Sequence, residues 1–115
     1  MKPLKALKGY IRDLSNLELH ILLTKEDEVI VARCLDFSVS SHGNTEGDAL
    51  ASLADSLKNY LNYALEKEAF NDIIDPDEEQ FWKIYQKLEL QNETIKFQEI
   101  AKTLKKRYIK EIAYA

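Results

Sequence analysis

From Thr45 to Lys67 the apolar side chains fall on a three- and four-residue beat: Leu50, Leu53, Ala54, Leu57, Tyr60, Leu61, Ala64 and Leu65. That period lines one side of an α-helix, while Asp55, Lys58, Asn59, Asn62 and Glu66 occupy the other. Thr45 followed by Asp48 resembles a capping box with Asp in place of Glu. The Thr hydroxyl accepts a first-turn N–H, and the acid sits at the positive end of the helix dipole. A helix with one apolar side must lie against something apolar. Burying each leucine is worth roughly 1.5–3 kcal/mol, so the stripe demands a sheet with a matching face.

The residues upstream supply one. Leu17, Leu19, Ile21 and Leu23 alternate with Glu18, His20 and Thr24, the two-residue repeat of a strand with one face buried. Val29 to Leu35 is nearly continuous in apolar residues and rich in β-branching, which predicts a strand lying centrally or covered on both faces. Lys25-Glu26-Asp27-Glu28 reads as the hairpin loop between them, so the two strands pair antiparallel. A third, shorter strand is expected around Phe37–Ser41, stopped by the turn residues His42-Gly43-Asn44. The spacing of Leu4, Leu7, Ile11 and Leu14 fits a short N-terminal helix, with Gly9 weakening it and an extra strand as the alternative.

With 115 residues, 45% of them apolar, three glycines and two prolines, the chain suits one domain over 1–115, with a core at 17–67 and a helical extension at 75–115. No apolar run is long enough for a membrane span, and MKPLKALKGY lacks the features of a secretory leader. A single cysteine leaves no intrachain disulfide, which suits a reducing compartment. The expected location is the cytoplasm.

The run CLDFSVSSHGNTEGDALASLADSLKNYL resembles the HicB-like antitoxin family. Its pattern is a hydrophobic strand ending in Cys-x-Asp/Glu-aliphatic, then Ser-x-Gly-x-Thr, then Glu/Asp-Ala-Leu opening a helix that ends near Tyr-Leu. Cys34, Leu35, Asp36, Ser40 or Ser41, Gly43, Thr45, Asp48, Ala49, Leu50, Leu53, Tyr60 and Leu61 stand at the matching places. The likeness covers about a third of the chain closely and residues 17–67 loosely. Where the commonest family form has Pro-Gly, this chain has Phe37-Ser38-Val39. The resemblance implies a three-stranded antiparallel meander with a helix packed on it, a truncated relative of the ribonuclease H fold without its catalytic acids. It also implies a non-enzymatic protein that blocks a small RNA-cleaving toxin, HicA, often with a C-terminal DNA-binding segment. Other members are solitary.

Charge is distributed unevenly. Residues 45–80 hold two basic and ten acidic groups, a net of −8, while residues 81–115 hold eight and four, a net of +4. An acidic region is repelled by nucleic acid and attracted to a basic, phosphate-gripping protein. Glu66, Glu68, Asp72, Asp77, Glu78 and Glu79, with Asp75 among them, therefore form the candidate docking surface. The bland alternative is a solvated helix end and loop.

Asp75-Pro76 ahead of Asp77, Glu78 and Glu79 predicts a helix start, with Phe81, Trp82, Tyr85 and Leu88 along one side. That aromatic side packs on the free face of the sheet or against a second subunit, so a homo-dimer is an expectation. Residues 94–107 read as a further helix, with Ile95, Ile100, Ala101, Leu104 and Tyr108 on one side, and 108–115 as a returning edge strand. Lys102, Lys105, Lys106, Arg107 and Lys110 support the alternative function, a DNA-binding regulator. Two helices meeting near Gln91-Asn92-Glu93 superficially match a helix-turn-helix, although no glycine marks the turn.

Catalytic constellations are weak. Ser41-His42 near Asp36 lacks a nucleophile elbow. Asp36, Glu46 and Asp48 are candidate oxygen ligands for Mg²⁺, but Asp36 reads equally as a turn-former and Asp48 as a cap. Cys34 reads as a core residue, and His20 and His42 are too isolated for a zinc site. No cofactor is expected. The expected fold is α+β: a three- to four-stranded, mainly antiparallel sheet with a long helix across one face and further helices after it.

Overall fold

The structure is a computed structural model and describes residues 1–12, 14–68, 70–104 and 109–114. Four strands form one antiparallel meander in the order β1-β2-β3-β4: β1 (Lys2–Ile11), β2 (Leu14–Glu26), β3 (Val29–Cys34) and β4 (Val39–Gly43). Helix α1 (Glu46–Glu66) follows, then a 3-10 turn at Phe70–Asp72, then α2 (Glu79–Leu104). The α+β class, with a long helix across one sheet face, matches the sequence reading.

Alternation along the strands sorts the side chains into two layers. Leu19, Ile21 and Leu23 of β2, with Ala32 and Cys34 of β3, point to one face and meet Ala49 and Leu53 of α1. The stripe of α1 is graded along its length. Ala49, Leu53 and Ala64 are buried, Leu50, Leu57, Tyr60 and Leu61 are half-buried, and Ala54 and Leu65 are exposed. The expected capping holds: Thr45 is the N-cap, and its hydroxyl accepts from Asp48 N at 3.0 Å. Gly43 ends β4 where the chain passes hard against the first turn of α1. A Cβ there would lie 2.6 Å from Ala49 N and 2.8 Å from the Asp48 carbonyl carbon.

On the opposite face Leu22, with Leu35 just past β3, meets Phe81 and Tyr85 of α2, flanked by Ala6, Trp82, Ile84 and Leu88. The aromatic side of α2 thus covers the second face of the same chain's sheet. Tyr85 is buried, and its hydroxyl donates to the Leu7 carbonyl at 3.2 Å, tying α2 to the outer strand. The Arg33 guanidinium lies 4.1 Å from the centre of the Phe81 ring and donates to Glu26.

Five sequence expectations are corrected. The N-terminal segment is not the short helix but strand β1, the alternative that its sequence left open. Its register slips between Pro3 and Lys5, so Leu4 is an extra residue and packs with Leu7 and Ile11 toward α1. A bulged strand has reproduced helical spacing. The third strand begins two residues late, because Asp36-Phe37-Ser38 make the turn, with Ser38 at φ 55° and Phe37 in the core. The hairpin loop contracts to Asp27-Glu28, Lys25 and Glu26 remaining in β2.

The fourth correction concerns α2. It starts at Glu79, after Asp75-Pro76, because Asp75 N donates to Asp36 O at 3.1 Å and Asp77 N to Leu35 O at 2.8 Å. Those bonds hold residues 75–77 beside the β3–β4 turn. The helix then runs unbroken through Gln91-Asn92-Glu93, where no glycine or proline interrupts it, so no helix-turn-helix forms there. The fifth is at the C-terminus: residues 109–114 carry no strand, while Tyr108 and Ala115, the rest of that expectation, and residues 105–107 of the expected 94–107 helix lie outside the described residues.

Beyond Glu89 the residues of α2 are exposed as far as Thr103. This overhang explains the radius of gyration of 17.2 Å, against about 13 Å for a compact domain of this length.

Candidate functional site

The acidic stretch wraps from the end of α1 on one face of the sheet to the start of α2 on the other. Asp75 and Asp77 are spoken for by the fold: beyond their backbone bonds, the Asp77 carboxylate accepts from Glu78 N at 2.8 Å. Ser38 Oγ donates to the Asp75 carbonyl, and Tyr60 OH to the Ile73 carbonyl at 3.0 Å, so the strap is fastened on both sides. Glu78 and Glu79 sit at the start of α2, where its dipole favours anions, and Glu79 pairs with Lys83 at 3.4 Å.

Glu66, Glu68 and Asp72 have no such explanation. Glu66 is the last residue of α1 and Glu68 follows the cap, at the negative end of the dipole, and the last turn has no basic residue. Glu68 also has φ 54°, a position after a helix where glycine is favoured. All three are exposed, and among the described residues none has an ion-pair partner. Lys67, at the cap between them, lies 5.8 Å over the Tyr63 ring.

A second polar cluster lies beneath the strap. Asp36 Oδ1 accepts from the His20 backbone N at 2.7 Å, and Oδ2 faces His20 Nδ1 at 2.9 Å. Cys34 Sγ lies 3.7 Å from Oδ1, and the imidazole packs against the rings of Trp82 and Tyr85 at 5.2 and 5.3 Å. Nδ1 is thus the ring nitrogen placed to donate to the carboxylate. Burial, reinforced by the Asp36 charge, pushes the Cys34 thiol up to about 12, which makes it a poor nucleophile. Sequence reasoning missed this cluster, since sixteen residues separate Asp36 from His20.

The other chemical groupings come apart. Ser41 Oγ bonds Ser52 Oγ of α1, while His42 points to the opposite face, and Asp36 is engaged by His20. Of the oxygen-ligand trio, Glu46 is paired with Lys5 at 2.9 Å, and among the described residues no group of three or more His, Cys, Asp or Glu side chains is arranged so that it could hold a metal ion. Lys102 and Lys110 are exposed; Lys105, Lys106 and Arg107 lie outside the described residues. The uncovered part of the α2-side face holds a shallow depression of about 410 Å³ between Glu26, Val29, Val31, Arg33, Ser40 and His42, which sequence reasoning also missed. No described helix is long and apolar enough to cross a membrane.

Comparison of the chain with protein-family models, with curated proteins and with solved structures gives no match.

Proposed function

We propose that this chain is a non-enzymatic protein-binding module, a HicB-like antitoxin or a solitary relative. It neutralises a small basic RNA-cleaving toxin by covering the surface with which the toxin grips phosphate. The observation that carries the reading is the placement of Glu66, Glu68 and Asp72: all exposed and without ion-pair partners among the described residues, the first two at the helix end that disfavours anions and Asp72 in the 3-10 turn that follows. Charges that oppose local stability are expected at functional positions. Asp77, Glu78 and Glu79 extend the same rim around the strap. A toxin surface rich in Lys and Arg would be steered to it, and the association would weaken as salt rises.

The test is capture of a co-encoded small basic protein by this chain and by Glu66→Lys/Glu68→Lys/Asp72→Lys. The substituted side chains are exposed, so the fold survives and capture is lost. Equal capture by both proteins would remove the acidic rim from the account. Reversal at Glu78 and Glu79 in a separate variant measures how far the contact extends toward α2.

A further inference from the structure

We infer that the groove between α1 and strands β1 and β2 is a binding site for a small amphipathic anion, an acyl carboxylate of medium chain length. Two depressions open there side by side, of about 350 and 230 Å³, and share Ile11, Lys58 and Leu61. The first begins at Ala54 and the second ends at Leu65, a run of about 16 Å at the rise of an α-helix. The space exists because α1 carries alanine at 54 and 64, where its stripe elsewhere has leucine or tyrosine. The walls are apolar and still partly in solvent: Leu17 is 40% exposed and Leu65 58%. Ile73 lines the second depression, its carbonyl held by Tyr60 OH. A cavity of about 150 Å³ takes a benzene-sized body, so the second depression has room for an acyl tail.

Charge selects the occupant and its direction. In a chain of net charge −4, the described lining of this groove holds two cations, Arg12 and Lys58, and no carboxylate. Lys58 borders both depressions and has no ion-pair partner among the described residues, Asp55 one turn before it included. Glu66 and Asp72 adjoin the lining residues Leu65 and Ile73 at the other end. A carboxylate is therefore drawn toward Lys58 and Arg12, and its tail lies toward the strap. A second copy docked here through a two-fold axis would bring the same two cations and no anion to meet them. The site stands whether or not the acidic rim binds a toxin.

Titration calorimetry of the whole protein with octanoate, butyrate and octanol, all below micelle-forming concentrations, tests it. Octanoate is expected to bind one molecule per chain, and butyrate far more weakly for want of a tail. Octanol, which lacks the charge, is expected to bind about tenfold more weakly or worse, the worth of one charge-assisted hydrogen bond. Lys58→Glu should lose octanoate by a similar factor, and Lys58→Arg should keep it. Lys58 is exposed, so both variants fold, as an unchanged far-ultraviolet circular dichroism spectrum checks. Octanoate should also shift the methyl resonances of Leu17, Ala64 and Leu65. No saturable octanoate binding, binding that Lys58→Glu leaves unchanged, or octanol held as tightly as octanoate would each overturn the inference. So would sedimentation as a dimer that Leu65→Glu dissolves, since a second copy would then fill the groove.

Discussion

Asp36 holds His20 at two points, the backbone N–H at 2.7 Å through Oδ1 and the ring Nδ1 at 2.9 Å through Oδ2. The residue before it, Leu35, donates its N–H to the His20 carbonyl at 2.9 Å. Together these bonds close the far end of the β2–β3 ladder, where regular pairing stops at Ile21 and Cys34. The same short segment receives the strap through the carbonyls of Leu35 and Asp36. One turn thus orients the sheet, places the His20 ring under Trp82 and Tyr85, and fixes the acidic run that leads into α2.

Removing the Asp36 carboxylate leaves a backbone N–H and a ring nitrogen without their acceptor in a half-buried setting. Asp36→Ala is expected to destabilise the fold by about 2–4 kcal/mol. Asp36→Asn, which keeps one acceptor oxygen, recovers roughly half of that. Urea unfolding followed by far-ultraviolet circular dichroism measures both, and an Asp36→Ala midpoint equal to that of the unsubstituted protein would contradict the clamp.

Gly43 occupies its place through space and not through backbone angle, since its φ is ordinary and a Cβ would collide with backbone atoms of Asp48 and Ala49. Gly43→Ala must push the first turn of α1 off the sheet edge, at about 1–3 kcal/mol. Loss of thermal stability with unchanged helix content is the expected signature.

Glu68 is expected to behave in the opposite way. It adopts φ 54° just past the C-terminal end of α1, so Glu68→Gly relieves backbone strain and removes an anion from the negative end of the dipole. A gain of about 1 kcal/mol is expected in denaturant unfolding. On the proposed function the same substitution weakens capture of the basic partner, so stability and binding should move in opposite directions.

The sequence reading succeeded where one local period matched one buried face. The stripe through Leu53 and Leu57 named α1, and alternation through Leu19, Ile21 and Leu23 named β2. It failed at β1 because the bulge at Leu4 sets Leu4, Leu7 and Ile11 on one face at helical spacing. It placed the start of α2 too early because Asp75-Pro76 is a good helix opening locally. Tertiary bonds from Asp75 and Asp77 to the β3–β4 turn override it. The acidic residues were visible as composition, but their division was not. Only coordinates separate Asp77, used as a local acceptor, from Glu66 and Glu68, stranded at the wrong helix end. The Asp36–His20 clamp was out of reach, since it joins two strands through a contact that no local pattern encodes.

Two buried groups predict how the fold responds to alkali. Burial raises the Cys34 thiol from 9.0 to about 12, with the Asp36 charge adding to it, and raises the Tyr85 phenol from 10.0 to about 12, helped by Glu89, Glu18 and Asp36. In both, the folded state keeps a proton that the unfolded chain has released. Between the unfolded and folded values the native state therefore binds more protons, and stability falls as pH rises. The contribution is intact below pH 9, erodes first through Cys34 and then through Tyr85, and is spent near pH 12. Urea midpoints measured from pH 8 upward should decline across that window, and Cys34→Ala with Tyr85→Phe should flatten the decline despite a lower starting stability. An unchanged slope in the double variant would assign the alkaline loss to other groups.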